Sequence, residues 1–531
     1  MDRARLERLI PLLTACAALG ACGGAEEIAS PGSGGNITIN NPPAAPPAAP
    51  PPPPTSTLVT PAAGCPTILN DTPLVDRGTI SGPTGTYRNC ELPARFTRDT
   101  TLTRIPGLLY SLGGRVDVGN DLGPTPVTGE ARVTLTIQPG VIIYGATGVS
   151  WLAVNRGNRI SAVGTLTRPI IFTSRDNVLG LATDDSQGQW GGVVLLGRAP
   201  ITDCRVALAT PGAADCDRNT EGSVDLALFG GAAATANDNS GTMQYVQIRY
   251  SGFILSGNSE LQSLTLGGVG SGTTISHIQS HNSSDDAFEN FGGTVSLRRL
   301  VLTGADDDNV DVDTGWRGTI QYLIAIQKGT GNPDSMIELD SANTIEDQQP
   351  RTFLKLANFT FVHRISSGNN AAMLLRGGAD SALVNGVVVS PVPCLRLNGT
   401  NMLTANSTIG KVGPPVFASV AMQCGAPSFS GSGGVTAQQS QDVFTAGANN
   451  TFALTSTLTG GSSATTGFIN GANEAARTAT DPKTIDALFD TTNYVGAVRD
   501  ATDTWYANWT CNSATASFTA GGMACTSLPA L

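Results

Sequence analysis

The sequence is poor in positive charge, in aromatic residues and in histidine. Of its 531 residues, 14% are charged and 5% are aromatic, and the formal net charge is −11. The only lysines are Lys328, Lys355, Lys411 and Lys483. Because no basic cluster is available to follow a phosphate backbone, we do not expect nucleic acid as a partner.

Several motifs of catalysis and cofactor binding are also missing. The chain has no Gly-x-Ser-x-Gly elbow, no credible serine triad and no Cys-x-x-Cys metal spacing. The glycine-rich stretch 267–272 lacks the strand-to-helix context of a nucleotide loop and predicts a tight turn. We expect no nucleotide or redox cofactor and assign no catalytic residue. We interpret His277, His281 and His363 as surface or packing residues.

Glycine and proline are abundant instead, with 63 and 32 residues, and 40% of the chain is hydrophobic. This composition suits many short strands joined by tight turns, around a large core. From about residue 130, β-branched runs separated by glycine recur, as at 133–137 and 169–173. These runs predict an all-β protein.

The first 21 residues have the features of a bacterial export signal. Three arginines precede an apolar run that is too short to span a bilayer. The run ends in Leu-Gly-Ala before Cys22, which resembles a lipobox, in which the cysteine receives lipid chains such as palmitate. Residues 22–60 include a proline-dominated stretch, so we expect a semi-rigid tether behind a lipid anchor.

The eight cysteines that follow Cys22 form four pairs that are local in sequence. An even number of cysteines in an exported chain predicts disulfides, although spacing alone does not fix which cysteines are joined. The nearest-neighbour pairing is Cys65 with Cys90, Cys204 with Cys216, Cys394 with Cys424, and Cys511 with Cys525.

An apolar pattern at positions i, i+3 and i+5 repeats through the middle of the chain. The pattern starts at Met243, Ile275, Leu297, Ile320, Leu356 and Val384, with Ser280 as a polar exception. A basic unit of about 22 residues with insertions in some turns is typical of stacked coils, each of which buries its apolar face against the next. We predict a right-handed parallel β-helix. A sandwich or propeller is disfavoured because Asn-Gly hairpin signals do not recur with the pattern.

Carboxylates occur at the same offsets in two successive coils. The offsets place Asp285 with Asp307, Asp286 with Asp308, and Glu289 with Asp311, while Asp313 and, in a less certain register, Asp334, Glu338 and Asp340 extend the cluster. Adjacent coils lie about 4.8 Å apart. At that distance two carboxylates repel by about 0.9 kcal/mol in water and about 3.5 kcal/mol at an effective dielectric constant of 20.

Three interpretations of these carboxylates remain open. A hard divalent cation, above all Ca²⁺, would remove the repulsion. A solvated acidic edge paired with Arg298, Arg299 and Arg317 would tolerate it. A carboxylate-based active site is the third possibility.

Aromatic residues near the C-terminus have two interpretations. Trp505, Tyr506 and Trp509 either close the end of the β-helix as a cap, which we favour, or offer a platform for sugar rings. The predicted organisation is a signal peptide at 1–21, a lipidated cysteine and tether at 22–60, a disulfide-bearing cap at 61–130, the β-helix at 131–400, and a C-terminal β region with a cap at 401–531.

Four stretches of the chain resemble bacterial cell-envelope lipoproteins with a pectate-lyase-like right-handed β-helix. The stretches are 189–201, 264–275, 285–294 and 494–498, the last followed by Trp505. The resemblance implies an outer-membrane lipoprotein facing the periplasm or the cell surface, or a lipoprotein released from the cell. It brings no known activity. Gly23 after the lipobox cysteine resembles lipoproteins sorted to the outer membrane.

These features lead to three hypotheses for function. The first is a non-enzymatic, anchored binding or scaffolding protein, whose carboxylates hold Ca²⁺ and whose long face meets a glycan or an envelope protein. The second is a Ca²⁺-dependent lyase or hydrolase of acidic polysaccharides, with Arg299, Arg317 or Lys328 as the base. The third is an accessory to an outer-membrane receptor or secretion system.

Overall fold

The computed structural model describes residues 58–530, except 70–71, 257–258, 342–344, 366–370 and 463–465. The predicted signal peptide, Cys22 and the tether up to residue 57 lie outside the described residues. No helix in the described ranges is long and apolar enough to cross a membrane.

Short β-strands make up most of the regular structure. In chain order they are β1 Thr67–Leu69, β2 Thr72–Pro73, β3 Val75–Gly82, β4 Gly85–Glu91, β5 Arg95–Phe96, β6 Thr100–Leu102, β7 Leu108–Leu112, β8 Arg115–Val118, β9 Thr134–Ile137, β10 Ile142–Gly145, β11 Trp151–Val154, β12 Arg159–Val163, β13 Ile170–Ser174, β14 Val193–Leu196, β15 Arg218–Asn219, β16 Leu228–Phe229, β17 Gly241–Arg249, β18 Ile254–Ser256, β19 Ser259–Glu260, β20 Leu264–Gly267, β21 Thr274–His281, β22 Phe288–Phe291, β23 Leu297–Thr303, β24 Asp311–Asp313, β25 Thr319–Ile326, β26 Ile337–Leu339, β27 Phe353–Val362, β28 Met373–Leu375, β29 Asp380–Val389, β30 Leu395–Asn398, β31 Val416–Gln423 and β32 Phe429–Ser432. The α-helices are α1 Arg175–Leu179, α2 Ala437–Thr445 and α3 Ala472–Ala475, and 3₁₀ turns cover Ala233–Thr235, Thr400–Leu403, Ser407–Ile409 and Pro482–Thr484.

Two long parallel sheets stack these strands into a right-handed β-helix, as predicted. Sheet 1 has fifteen strands and runs in the order β3-β4-β7-β10-β13-β17-β21-β23-β25-β27-β29-β31, with β6, β9 and β12 beside it. Sheet 2 has eleven strands and runs from β5 to β32. Within sheet 1 only β3 and β4 pair antiparallel. The first parallel pair is β4 with β7, and the last is β30 with β32. The β-helix therefore extends beyond the predicted range 131–400 at both ends.

A bend at one residue explains the spacing of the apolar pattern. The separate strands β12 and β13 pair with the two halves of the single strand β17, through Ala162 with Met243 and Ile170 with Val246. Between these halves Tyr245 has a φ of 53°. This left-handed residue turns the chain, so that Met243 and Val246 both point into the core although they are three positions apart. The same bend recurs at the corner residues Tyr245, His277, Arg299, Tyr322, Asn358, Asn385 and Ser419.

The predicted register holds for five coils and fails for the sixth. Met243 aligns with Ile275, and the alignment continues through Leu297, Ile320 and Leu356.

The residue that pairs with Leu356 on the next strand is Leu383. The prediction that the sixth coil starts at Val384 is therefore wrong by one residue. Val384 instead packs outward against Phe489. The apolar pattern predicted the wrong register because the side chains on both faces of β29 are buried. The correct register places Phe359 opposite Gly386, and a Cβ on that glycine would lie 2.1 Å from the ring.

The α-helix α2 covers the C-terminal end of the β-helix. The ring of Phe444 on α2 lies 5.3 Å from that of Phe417 and 5.6 Å from that of Phe429. Thr436 is the N-cap residue of α2 and forms a capping box. The apolar end of the core is therefore closed by a helix.

The last part of the chain runs along the side of the β-helix, and we call residues 480–530 the strap. Trp505 contacts the ring of Tyr322, and Trp509 contacts Tyr245, both on the outer face of sheet 1. Near the N-terminal end of the β-helix, Leu528 packs beside Tyr87 in the first coils. The predicted cap role of Trp505, Tyr506 and Trp509 is thus wrong, because these rings cover outward apolar residues of the middle coils.

All four predicted disulfides form. They join Cys65 to Cys90, Cys204 to Cys216, Cys394 to Cys424, and Cys511 to Cys525.

Candidate functional site

The acidic residues form columns on the outer face of sheet 2. Glu289 on β22 pairs in register with Asp311 on β24, which pairs with Glu338 on β26. Phe288 and Val312, their neighbours along the strands, lie in the core, so the carboxylates point to the opposite face. The sequence-based alignment of Glu289 with Asp311 is confirmed, and Glu338 continues the column.

A second column lies at the turn before these strands and is built into the backbone. The backbone N–H of Asp308 donates to Oδ1 of Asp286 at 2.9 Å, and that of Ser335 donates to Oδ1 of Asp308 at 2.6 Å. Each carboxylate therefore links its coil to the next one. The predicted stacking of Asp286 on Asp308 is confirmed.

A third column is more exposed. Burial and then the negative charge of Asp307 raise the pKa of Asp285, and burial and then the negative charge of Asp334 raise the pKa of Asp307. Asp313 aligns with Phe291 on sheet 2 and lies beside Asp311 along β24. All the sequence-predicted acidic residues thus meet at one side of the β-helix.

Burial separates this site from a solvated acidic edge. The exposed fractions of Asp286, Glu289 and Asp308 are 5%, 5% and 4%. Burial, and then neighbouring carboxylates, raise the pKa of Asp285 to about 7 and that of Asp307 to about 6. The same causes raise the pKa of four other carboxyl groups well above the ordinary range, those of Asp286, Glu289, Asp308 and Asp311.

Few cations of the chain compensate this charge. Arg376 forms ion pairs with Glu338 and, at 2.9 Å, with Asp340. Lys328 lies 3.1 Å from Asp306 at the edge of the cluster. At the other end of the columns, near Asp286 and Glu289, no ion pair forms with a described residue.

The arginines predicted as partners of the carboxylates lie elsewhere, and that prediction is wrong. Arg298 pairs with Asp490 on the strap, Arg299 stacks on Tyr322, and Arg317 stacks on Phe353. All three belong to the outer side of sheet 1 or the turn before it. For the same reason, Arg299 and Arg317 do not lie beside the carboxylates as bases.

The arrangement has the donors and the spacing for a hard cation. Two groups of three carboxylates share Asp286, and within each group the ligand oxygens lie within 4.8 Å of one another. Oxygens around a Ca²⁺ ion stand 2.3–2.6 Å from it, so two oxygens on opposite sides of one ion are separated by about 5 Å, and the separations within each group are compatible with a shared ion. Oδ1 of Asp311 is buried and has no hydrogen-bond partner among the described residues. The groups are Asp285, Asp286 and Asp307, and Asp286, Glu289 and Asp311.

Sequence reasoning missed three charged neighbours of the site. The negative charges of Glu260 on β19 and of Glu221 between β15 and β16, both in segments inserted between coils, add to the effect of burial and of Asp307 in raising the pKa of Asp285. Arg376 at the end of β28 was also missed. No repeat pattern covers the inserted loops, so only the folded chain brings them to the site.

The fold and the site define a class of protein: a right-handed parallel β-helix with buried acidic columns along one sheet. Residues 123–510, more than half of the chain, match the family model described as a pectate-lyase like beta helix domain. The chain belongs to this family. Neither curated proteins nor solved structures gave a match.

Proposed function

We propose that this protein is a non-enzymatic binding or scaffolding β-helix that holds Ca²⁺ in the acidic columns of sheet 2. The observation that carries the proposal is the group formed by Asp286, Glu289 and Asp311, whose oxygens lie within 4.8 Å of one another and which forms no ion pair with any described residue. In a buried site such a group either stays protonated or binds a metal ion.

Bound Ca²⁺ would have both a structural and a binding role. It would join neighbouring coils through Glu289 and Asp311, which lie on adjacent strands. Ca²⁺ takes six to eight oxygen ligands, and three carboxylates leave positions for other groups. The more exposed group with Asp285 and Asp307 is open to carboxylates of an acidic glycan or an envelope protein.

The proposal includes attachment to the cell envelope. Cys22 would carry the lipid anchor, and the proline-rich residues up to about 60 would hold the β-helix away from the outer membrane. This part rests on the N-terminal sequence alone. Metabolic labelling with a fatty-acid analogue tests it, because a Cys22→Ser variant should lose the label.

Calorimetric titration of the metal-free protein with Ca²⁺ tests the central proposal. We expect saturable binding that is lost in a variant with Asp286, Glu289, Asp308 and Asp311 changed to Asn or Gln. The matched control is Asp442→Asn, which removes one exposed charge on α2. Absence of saturable binding in the wild type, or equal binding by the fourfold variant, contradicts the proposal.

A Ca²⁺-dependent polysaccharide lyase or hydrolase is the second candidate, favoured by membership of the pectate-lyase like family. Of the three predicted bases, only Lys328 lies near the carboxylates, where it pairs with Asp306. Incubation with uronate polymers, followed by ultraviolet detection of unsaturated products and by reducing-end assay, tests this candidate. Turnover that Lys328→Ala abolishes would replace the binding proposal with an enzymatic one.

A further inference from the structure

A second site, of opposite charge, lies between the early coils and the strap. A cavity of about 510 Å³ is bordered on one side by the turns at Arg104, Gly140 and Arg168, and on the other by strap residues from Asn508 to Ala530. Cavities of roughly 300–1,000 Å³ are typical of small-molecule sites. The position is distinct from the acidic columns, because Arg168 lies two residues before β13 of sheet 1.

Two arginines without a carboxylate partner converge on this cavity. Neither Arg104 nor Arg168 forms an ion pair with any described residue, in a chain with a net charge of −11. A Cβ built on Gly140 would lie 3.1 Å from Cδ of Arg104 and 3.5 Å from Cβ of Arg168. The two side chains therefore flank the same glycine, and their positive charges are available to an anion in the cavity.

Polar groups with spare capacity surround the two arginines. The Thr167 hydroxyl and the Asn508 side-chain amide line the cavity, and neither bonds to another described residue. The backbone of Asn508 is held in place, since its N–H donates to Oγ1 of Thr519 at 2.8 Å. The strap therefore adds the Asn508 side-chain amide to the lining of the same cavity as the two arginines.

We propose that this cavity binds a small ligand with an oxyanion group, a carboxylate, phosphate or sulfate, held between Arg104 and Arg168. Guanidinium groups bind such anions through paired N–H donors. Pro169 and Met523 supply apolar lining beside the charged end. A cavity of this volume, lined by charged, polar and apolar residues, has room for an anionic group attached to a polar ring, as in an acidic monosaccharide.

Calorimetry of the full chain in Ca²⁺-free buffer tests the proposal with three probes: inorganic phosphate, sulfate and glucuronate. The wild type is expected to bind at least one of them saturably, and a twofold variant, Arg104→Gln with Arg168→Gln, is expected to lose about tenfold or more in affinity. Tighter binding of glucuronate identifies an acidic sugar as the ligand type. Equal or tighter binding of phosphate or sulfate identifies a free or esterified inorganic anion.

Two controls separate a site from general charge effects. Arg98→Gln removes an exposed arginine that also lacks an ion-pair partner among the described residues and lies outside the cavity, so it should bind like the wild type. The Arg104→Lys, Arg168→Lys variant keeps both charges but loses the paired donors and should bind with intermediate affinity. Failure of all three probes to bind the wild type overturns the proposal, as does an equal loss in Arg98→Gln.

Discussion

The carboxylate of Asp286 accepts a hydrogen bond from the backbone N–H of Asp308, one coil further along, at 2.9 Å. The same side chain belongs to both of the three-carboxylate groups. Asp286 is therefore both a link between coils and a proposed metal ligand, and substitutions can separate the two roles.

Asp286→Asn should lose Ca²⁺ affinity and keep the fold, because the amide oxygen can still accept from the N–H of Asp308. Asp286→Ala should lose both, with a decrease in the free energy of unfolding of about 1–3 kcal/mol from the unsatisfied backbone donor. Chemical unfolding beside Ca²⁺ titration measures the two effects. Equal stabilities of the two variants would refute the structural role of the side-chain oxygen.

Removal of one unpaired buried charge should stabilise the metal-free protein. Asp311→Asn replaces a carboxylate whose Oδ1 has no hydrogen-bond partner among the described residues and whose pKa is raised by burial and by the neighbouring carboxylates. Without Ca²⁺ at pH 7, the variant should unfold at a higher temperature than the wild type. With Ca²⁺ the order should reverse, since the variant loses a ligand. An unchanged order with and without Ca²⁺ would argue against a metal site.

The stability of the metal-free protein should fall as the pH rises from about 4 to 7. Burial lowers the pKa values of His277, His281 and His363, which act in the opposite sense, but the carboxyl groups of the acidic columns with raised pKa values outnumber these histidines. Burial and neighbouring carboxylates raise the pKa of Asp285 and Glu338 to about 7 and that of Asp307 to about 6 in the folded state. The folded protein therefore binds more protons than the unfolded chain in this window, and the advantage is lost as the pH passes the folded pKa values. Thermal unfolding at pH 5 and pH 7 measures the difference.

Ca²⁺ should change that pH dependence. Because the metal competes with protons for the same carboxylates, its stabilising effect should be larger at pH 7 than at pH 5. Asp442→Asn, with its exposed carboxylate on α2, should behave like the wild type in both conditions. A Ca²⁺ effect independent of pH would show that the ion binds away from the columns.

The strap should detach when its contact with the corner residues is lost. Nδ2 of Asn385 donates to the carbonyl of Thr480 at 2.8 Å, and its Oδ1 accepts the Thr480 N–H at 2.9 Å. Asn385→Ala removes both bonds and places alanine at a φ of 55°. We expect a loss of about 2–4 kcal/mol and faster proteolysis within 480–530. Limited proteolysis with mass spectrometry locates the cuts, and unchanged cleavage would contradict the prediction.

The Cys511–Cys525 disulfide should stabilise the far end of the strap. The bond closes a loop with a sequence separation of 14 residues and lowers the entropy of the unfolded chain by an amount that corresponds to about 3 kcal/mol. The carbonyl of Cys525 also accepts from the fully buried guanidinium of Arg249 at 2.8 Å. Replacement of both cysteines by serine should lower the unfolding temperature, while the Ca²⁺ affinity should stay the same.

The stacked coils and the first carboxylate pairs were predictable because consecutive coils of 22 and 23 residues carry no insertion. Equal offsets then place Glu289 opposite Asp311, as the pairing of β22 with β24 shows. The next coil start, at Leu356, follows a gap of 36 residues from Ile320, and the insertion hides the register of Asp334 and Glu338.

The strap and the cavity could not be predicted in the same way. Residues 480–530 have almost no regular structure and no apolar period, since their partners are outward side chains scattered over several coils. The shifted sixth coil has the same cause. Val384 is buried by Phe489 of the strap, and nothing in the local sequence of β29 distinguishes an outward apolar residue from an inward one.

The path of the strap has a consequence for the order in which the chain folds. From β17 onward, the strands of sheet 1 in neighbouring coils join residues about 22 to 36 positions apart, so each of these coils can form soon after the one before it has been synthesised. By contrast, the hydrogen bond from Asn177 to the carbonyl of Cys525 joins residues 348 positions apart. Contacts of such sequence separation form late. The exposed corner face of the growing helix therefore stays open to chaperones or to other chains until the C-terminal residues have been made, and its closure marks the completion of folding.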